Sequence, residues 1–399
     1  MRPETAQVYA DMLNAGITPV VYEYGSLGCS GDLAPLAACA LVAMGEGEAR
    51  NADGRKIGGG EALRAAGITP VDLKEKEGLA LVNGTDGMLG MLCMAITDLR
   101  LLLKTADIAA AMSVEGMLGN DRVFAADLQA LRPHRGQGDS AANIVRMLKG
   151  SGLIEAGRPG STVRVQDAYS LRCTPQVHGA ARDTVEYAAS VAGVELASAI
   201  DNPCVTLDGR VESNGNFHGA PLAYVLDFLA IPTADVASIS ERRTDRFLDV
   251  ARNRGLPAFL AGDPGVDSGF MIAQYTAAGI VSEMKRNAVP ASVDSIPAPP
   301  CRKITCRWAG PPPASCAGRF RPLRACWPWN CCAPAAPSTS ASRTVRVRRA
   351  PPYTAWCAST PTKSAPTYAI PGPPRRLRAW PRRFSPAKSS PPPNPPSAH

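Results

Sequence analysis

Apolar residues recur at intervals of three and four over residues 3–15, 33–44, 88–112, 175–199 and 218–242, the spacing that lines one face of an α-helix. No stretch alternates apolar and polar residues as a half-buried strand requires. The segment from Leu89 to Met112 is too long for a strand and carries Asp98, Arg100, Lys104 and Asp107, so it reads as a buried helix of a bundle. Clusters of Gly and Asn at 25–31, 51–60, 83–87, 136–139, 157–161, 201–216 and 262–269 read as loops between helices. The pattern predicts an all-α, long-helix bundle, with its chemistry in those loops. No run of 18 apolar residues is apparent, and the start MRPETAQVYADML is amphipathic and acidic. Both features predict a cytoplasmic protein with no membrane segment.

The periodic pattern fades near residue 297, and composition changes with it. Residues 298–399 hold 23 of the 37 prolines, 7 of the 12 cysteines and all five tryptophans, and their 17 Lys and Arg face no acidic residue. That leaves 26 basic against 35 acidic residues in 1–297, a net charge of −9, so the formal +8 of the whole chain describes neither part. Two regions follow: a helical body, 1–297, and a Pro/Arg-rich tail, 298–399, whose composition predicts disorder. An acidic body without clustered Lys and Arg points to a small-molecule substrate and away from nucleic acid. A basic, Trp-containing tail that binds RNA is the rival reading. The five body cysteines have no spacing of a disulfide framework or a metal site, so no metal is expected.

Among the loops, YEYGSLGCSGDLAPLA is the most informative. Gly25, Gly28 and Gly31 lie in one tight loop, and Asp32 opens a helix. Read alone, this is a Gly-rich helix entry in which Ser30 or Asp32 satisfies free N–H groups, or a phosphate-cradling loop; the latter is disfavoured by Asp32 and by the lack of a nearby lysine. The other polar loops also have plain readings. Asn83 in GLALVNGTDG suits an Asx-turn, Tyr169 and Arg172 in VQDAYSLRCTPQVHG suit a surface stack, and Phe217 in SNGNFHGAPLA suits core packing. His178 and His218 receive no catalytic role, since neither has an evident partner.

Taken together and in this order, the strings resemble the aromatic amino acid ammonia-lyase family, over roughly residues 2–297. GSLGCSGDLAPLA is similar to that family's defining motif. The resemblance implies that Cys29, Ser30 and Gly31 cyclise autocatalytically to 4-methylidene-imidazol-5-one. The Gly31 nitrogen attacks the Cys29 carbonyl, two waters leave, and Ser30 becomes a dehydroalanine. Such a group supplies the electron sink that removal of a non-acidic β-proton needs, and helix N-termini would strengthen it. The resemblance further implies that Tyr169 does acid/base work, and that Asn83, Gln166, Arg172 and Phe217 bind substrate around the electrophile. Ala168 departs from a usual proline. A homotetramer whose sites form where helices of several subunits meet is also implied.

PASVDSIP at 290–297 matches the entry to a further family segment, and then the likeness stops. Reading PPCRKITCRWAG from the third letter of each codon permits Met-Gln-Glu-Asp-His-Val-Ser-Met-Gly-Trp, similar to the family's continuation. A shifted reading frame after about residue 297 is therefore expected, and the glutamate in that frame favours an imidazole substrate. The resemblance thus implies non-oxidative deamination of L-histidine to urocanate and ammonia. Phenylalanine or tyrosine deamination or aminomutation is the alternative within the family. The family's earlier loop tyrosine and histidine have no counterpart, so the 399-residue chain is expected to be a truncated form, and a non-catalytic remnant is the reading from another class.

Overall fold

The computed structural model describes residues 1–22, 25–26, 32–157 and 165–293, with the backbone of two short strands, Ser295–Ile296 and Cys306–Arg307. Cys29, Ser30 and Gly31, and all of 298–399 except Cys306–Arg307, lie outside the described residues.

The first part of the chain forms a small layer of its own. Helices α1 (Pro3–Asn14), α2 (Leu33–Ala43) and α3 (Gly59–Ala65) pack on an antiparallel sheet of β1 (Thr18–Pro19), β2 (Glu48–Arg50) and β3 (Lys56–Gly58) in that order. Met12, Ile17, Val42, Ala49 and Leu63 fill its interior. Helix α4 (Glu77–Val82) is tied to α1 through Glu77. Its carboxylate accepts bonds from the Arg2 backbone N–H (2.8 Å), Arg2 Nη2 (2.7 Å) and Thr5 Oγ1 (3.0 Å). The Arg2 guanidinium holds this carboxyl well below the usual carboxylate range. The tie fixes α4 and, one residue past its end, Asn83.

The rest is a bundle of long helices: α5 (Asp86–Gly116), with α6 (Ala126–Ala130), α7 (Arg135–Leu148), α8 (Gly152–Ala156) and the single turn α9 (Tyr169–Arg172). Then come α10 (Thr174–Leu196), a hairpin of β4 (Cys204–Val205) and β5 (Val211–Glu212), α11 (Ala220–Leu248) and α12 (Met271–Asn287). Leu92, Leu99 and Leu103 of α5 meet Val185 and Ala188 of α10, Leu222, Val225 and Leu229 of α11, and Val281 of α12 in one core. A second core joins Val114, Phe124, Ile144, Leu171 and Phe247 at the far end of α5. The all-α bundle expected from periodicity is the fold, and the strands are only two or three residues long.

One expectation needs correction. Residues 136–139, read as a loop, are the first turn of α7. The glycines there serve helix contact: a Cβ on Gly136 would lie 2.3 Å from the Gly179 carbonyl oxygen, and one on Gly179 would lie 2.3 Å from the Gln137 nitrogen. A side chain at either position would hold α7 and α10 apart. The segment Glu77–Gly116 and α11 are long and apolar enough to cross a membrane by length and composition alone. Both contribute the core leucines just named, and a buried bundle helix passes that test for the same reason, that it is apolar on most sides.

Candidate active site

Asp32, the first described residue after Cys29-Ser30-Gly31, is buried against the start of α5. Its backbone N–H donates to the Gly84 carbonyl (3.0 Å), and its carboxylate accepts from the Met88 N–H (2.7 Å) and from the Ser26 hydroxyl. It therefore precedes α2 but satisfies an unpaired N–H of α5. Gly87 permits the approach, since a Cβ there would lie 2.7 Å from Asp32 Oδ2. Burial raises the Asp32 carboxyl, and the bonds from Ser26 and Met88 oppose the rise. Asp32 is thereby pinned where the N-termini of α2 and α5 meet.

Asn83 sits beside this point, buried at the end of α4. Its Nδ2 donates to Asp201 Oδ1 (3.2 Å) and to the Asn202 carbonyl (3.0 Å). Asp201 also pairs with Lys76, and its main-chain carbonyl accepts from Asn214 Nδ2 (3.0 Å). Burial works to raise the Asp201 carboxyl, but Lys76 and Asn83 outweigh it and leave it lowered. The 201–216 loop, which leads into α11, is thus bound to α4. Phe217 and His218 lie at that entry, where His218 Nδ1 accepts from the Ala220 N–H (3.2 Å). An open pocket of about 490 Å³ lies here, lined by Glu195 in the last turn of α10, by Ser198 and Ile200 beyond it, by Asn216 and His218, and by Pro221 in the first turn of α11. Thr85 donates to Glu195 (3.3 Å), which joins the pocket to the start of α5.

Gln166, Tyr169 and Arg172 lie at the other end of the bundle. Asp167 Oδ2 accepts from the Asn120 N–H (2.6 Å), just past the end of α5, and the Asp167 carbonyl accepts from Arg172 Nε (2.8 Å). The Arg172 guanidinium carbon stands 4.5 Å from the centre of the Tyr169 ring, a cation–π stack on an exposed side chain. The bond to Asp167 uses Nε, whereas end-on bidentate capture of a carboxylate uses the two terminal nitrogens. Ala168 has φ −61°, inside the range proline would impose, so the alanine keeps the geometry of this turn.

The 31 residues of α5 rise about 45 Å, and α5, α10 and α11 run alternately up and down. Asn83 and Phe217 therefore share one end with Asp32, while Gln166, Tyr169 and Arg172 share the opposite end. Within one chain the two groups do not meet. Sequence reading missed Asp32, Lys76 and Asp201 as organisers of the first end. Asp32 alone left a signal, an acidic residue opening a helix beside a Gly-rich loop.

A family model described as aromatic amino acid lyase matches residues 1–300. The chain belongs to the aromatic amino acid lyase family. Over 297 residues it is 68% identical to histidine ammonia-lyase of Streptomyces griseus, covering 74% of this chain and 58% of that protein. The fold is similar to the crystal structure of histidine ammonia-lyase from Trypanosoma cruzi, with a TM-score of 0.75, 34% identity, and coverage of 90% of this chain and 66% of that one. It is equally similar to tyrosine aminomutase from Streptomyces globisporus, with a TM-score of 0.75, 35% identity, and coverage of 84% and 66%. The chain thus spans about 58% of the length of the curated relatives it matches. Fold likeness within the family therefore does not separate the two activities.

Proposed function

We propose that this member of the aromatic amino acid lyase family is the body of a histidine ammonia-lyase, a cytoplasmic carbon–nitrogen lyase of histidine degradation that converts L-histidine to urocanate and ammonia. The observation that carries the reading is the 68% identity over 297 residues to the histidine ammonia-lyase of Streptomyces griseus.

Cys29, Ser30 and Gly31 would form the 4-methylidene-imidazol-5-one, which supplies an electrophile that no ordinary side chain offers. The described flanks fit that group: Asp32 clamps the loop's end, and two helix N-termini converge there, a setting that favours developing negative charge. Asn83 commits its Nδ2 to Asp201 and Asn202, which suits its Oδ1 to accept from a substrate amino group. Phe217, at the entry to α11, would meet the substrate's aromatic side chain. Arg172 holds the substrate carboxylate, Gln166 contacts it from the segment before α9, and Tyr169, stacked on the cation, moves the proton.

The two groups of residues stand at opposite ends of the bundle, so one complete site needs more than one copy. A homotetramer fits this requirement. Exposed apolar side chains fit it too: Met94, Leu101 and Ile108 stand seven apart on α5, and Tyr224, Phe228 and Ile231 line α11.

The family match ends at residue 300, where composition changes, which supports the reading that codons after about 297 are out of frame. Resequencing that stretch tests it, and an intact frame encoding the 399 residues would end the idea. Function is tested with a panel of L-histidine, L-phenylalanine and L-tyrosine on the 399-residue chain and on a frame-restored version. Release of urocanate from histidine alone is expected; turnover of phenylalanine or tyrosine instead reverses the assignment. A restored enzyme that turns over none of the three points to a non-catalytic remnant.

A further inference from the structure

Arg243 of α11 is fully buried, with an exposure of 0%. Its Nη1 donates to the Ser170 carbonyl (3.3 Å), in the middle of α9. Removing an arginine from water is costly, and an apolar side chain of similar volume would fill the space without that cost. The one turn it touches carries Tyr169 and Arg172. A four-residue helix has no stability of its own and takes its position from tertiary contacts.

Those contacts come from two sides. Leu171 is buried beside Phe124, Ile144 and Phe247. The Asn120 N–H holds the Asp167 carboxylate, and the Asp167 carbonyl holds Arg172 Nε. Arg243 supplies a polar contact from the bundle interior, near the fully buried His178 of α10, and Thr174 Oγ1 donates to the same Ser170 carbonyl from the start of α10 (3.4 Å).

We propose that Arg243 is a positioning residue: it reaches from the core of α11 to the Ser170 carbonyl and sets α9 so that Tyr169 and Arg172 are presented as a stacked pair. The inference rests on the proposed roles of Tyr169 and Arg172, which it deepens.

The test uses the full chain labelled with 3-fluorotyrosine and read by fluorine NMR, with the Tyr169 signal identified by its loss in Tyr169→Phe. Arg243→Met removes the guanidinium donor and keeps that of Thr174. Arg243→Lys keeps a buried cation but shortens the reach. The Tyr169 signal is expected to move in Arg243→Met towards its position in Arg172→Met, where the stacked cation is gone, and part of the way in Arg243→Lys. Tyr224 and Tyr275, on α11 and α12, stay in place. Either variant that folds decides the matter. A Tyr169 signal that stays put, or one that moves together with Tyr224 and Tyr275, overturns the proposal, because the second outcome is a general loosening of the core. In a frame-restored enzyme active on histidine, Arg243→Met lowers kcat/KM by about 10- to 100-fold, as a misplacement of about 1 Å does. If the Tyr169 signal moves while Arg172→Met leaves histidine turnover intact, the bracket stands and the functional reading falls.

Discussion

Replacing Gly179 by alanine tests the packing that brings α7 against α10. An added Cβ would lie 2.3 Å from the Gln137 nitrogen, 2.4 Å from its Cα and 2.7 Å from the Gly136 carbonyl carbon. All three are backbone atoms, so relief requires α7 to move by about 1 Å, and no side chain can turn aside. Overpacking of this kind costs about 1–3 kcal/mol, whereas glycine to alanine inside a helix gains about 0.5–1 kcal/mol. The clash wins, and Gly179→Ala is expected to be destabilised by about 1–2 kcal/mol. Gly193, in the same helix, meets nothing within 4 Å, so Gly193→Ala keeps the gain and is stabilised by about 0.5–1 kcal/mol. Urea unfolding followed by far-ultraviolet circular dichroism reads both. A Gly179→Ala variant as stable as the parent, or a Gly193→Ala variant equally weakened, would refute the reasoning.

Asp107 is buried with Ser140 Oγ (2.6 Å), Asn143 Nδ2 (2.7 Å), His178 Nδ1 (2.9 Å) and Arg182 around it. Asp107→Ala leaves buried donors and a cation without their acceptor and should cost about 3–5 kcal/mol in the same urea assay. Burial lowers the His178 pKa below its ordinary 6.5, because it penalises the cation. The unfolded chain then binds a proton there before the folded one does, so stability is present above about pH 6.5 and falls as pH drops below it. Comparing urea midpoints of the parent and His178→Gln between about pH 7 and 5 isolates that loss. For Asp107, burial would raise the carboxyl, but His178 and Arg182 outweigh it; the further loss from this group begins only below its ordinary 3.8. Asp32→Ala removes the acceptor of the Met88 N–H, should cost about 0.5–2 kcal/mol, and should speed hydrogen exchange at Met88 more than at Leu99.

The helices were legible because a buried face repeats every 3.6 residues, and α1, α2, α5, α10 and α11 all carry that repeat. Helix α7 was not, because Gly136 and Gly138 look like loop residues until the neighbouring Gly179 is known, and that contact spans more than 40 positions of sequence. The motifs of the candidate site were legible as a set. Their division between two ends was not, since order along the chain does not say which way each long helix runs. The Asp107–His178 pair, 71 residues apart, left no local pattern at all. Asp107 marked the helix as charged, but nothing near it in sequence named its partners.

The central claim is that the residues around Asn83 and those around Tyr169 belong to one site built from different copies. Co-expressing Asn83→Ala and Tyr169→Phe chains of the frame-restored enzyme tests this most directly. Each variant alone should be inactive on L-histidine, while mixed assemblies should regain urocanate formation, because some sites then receive an intact Asn83 end from one chain and an intact Tyr169 end from another. Mixed assemblies that stay as inactive as either parent, beside an active unmutated control, would contradict the account.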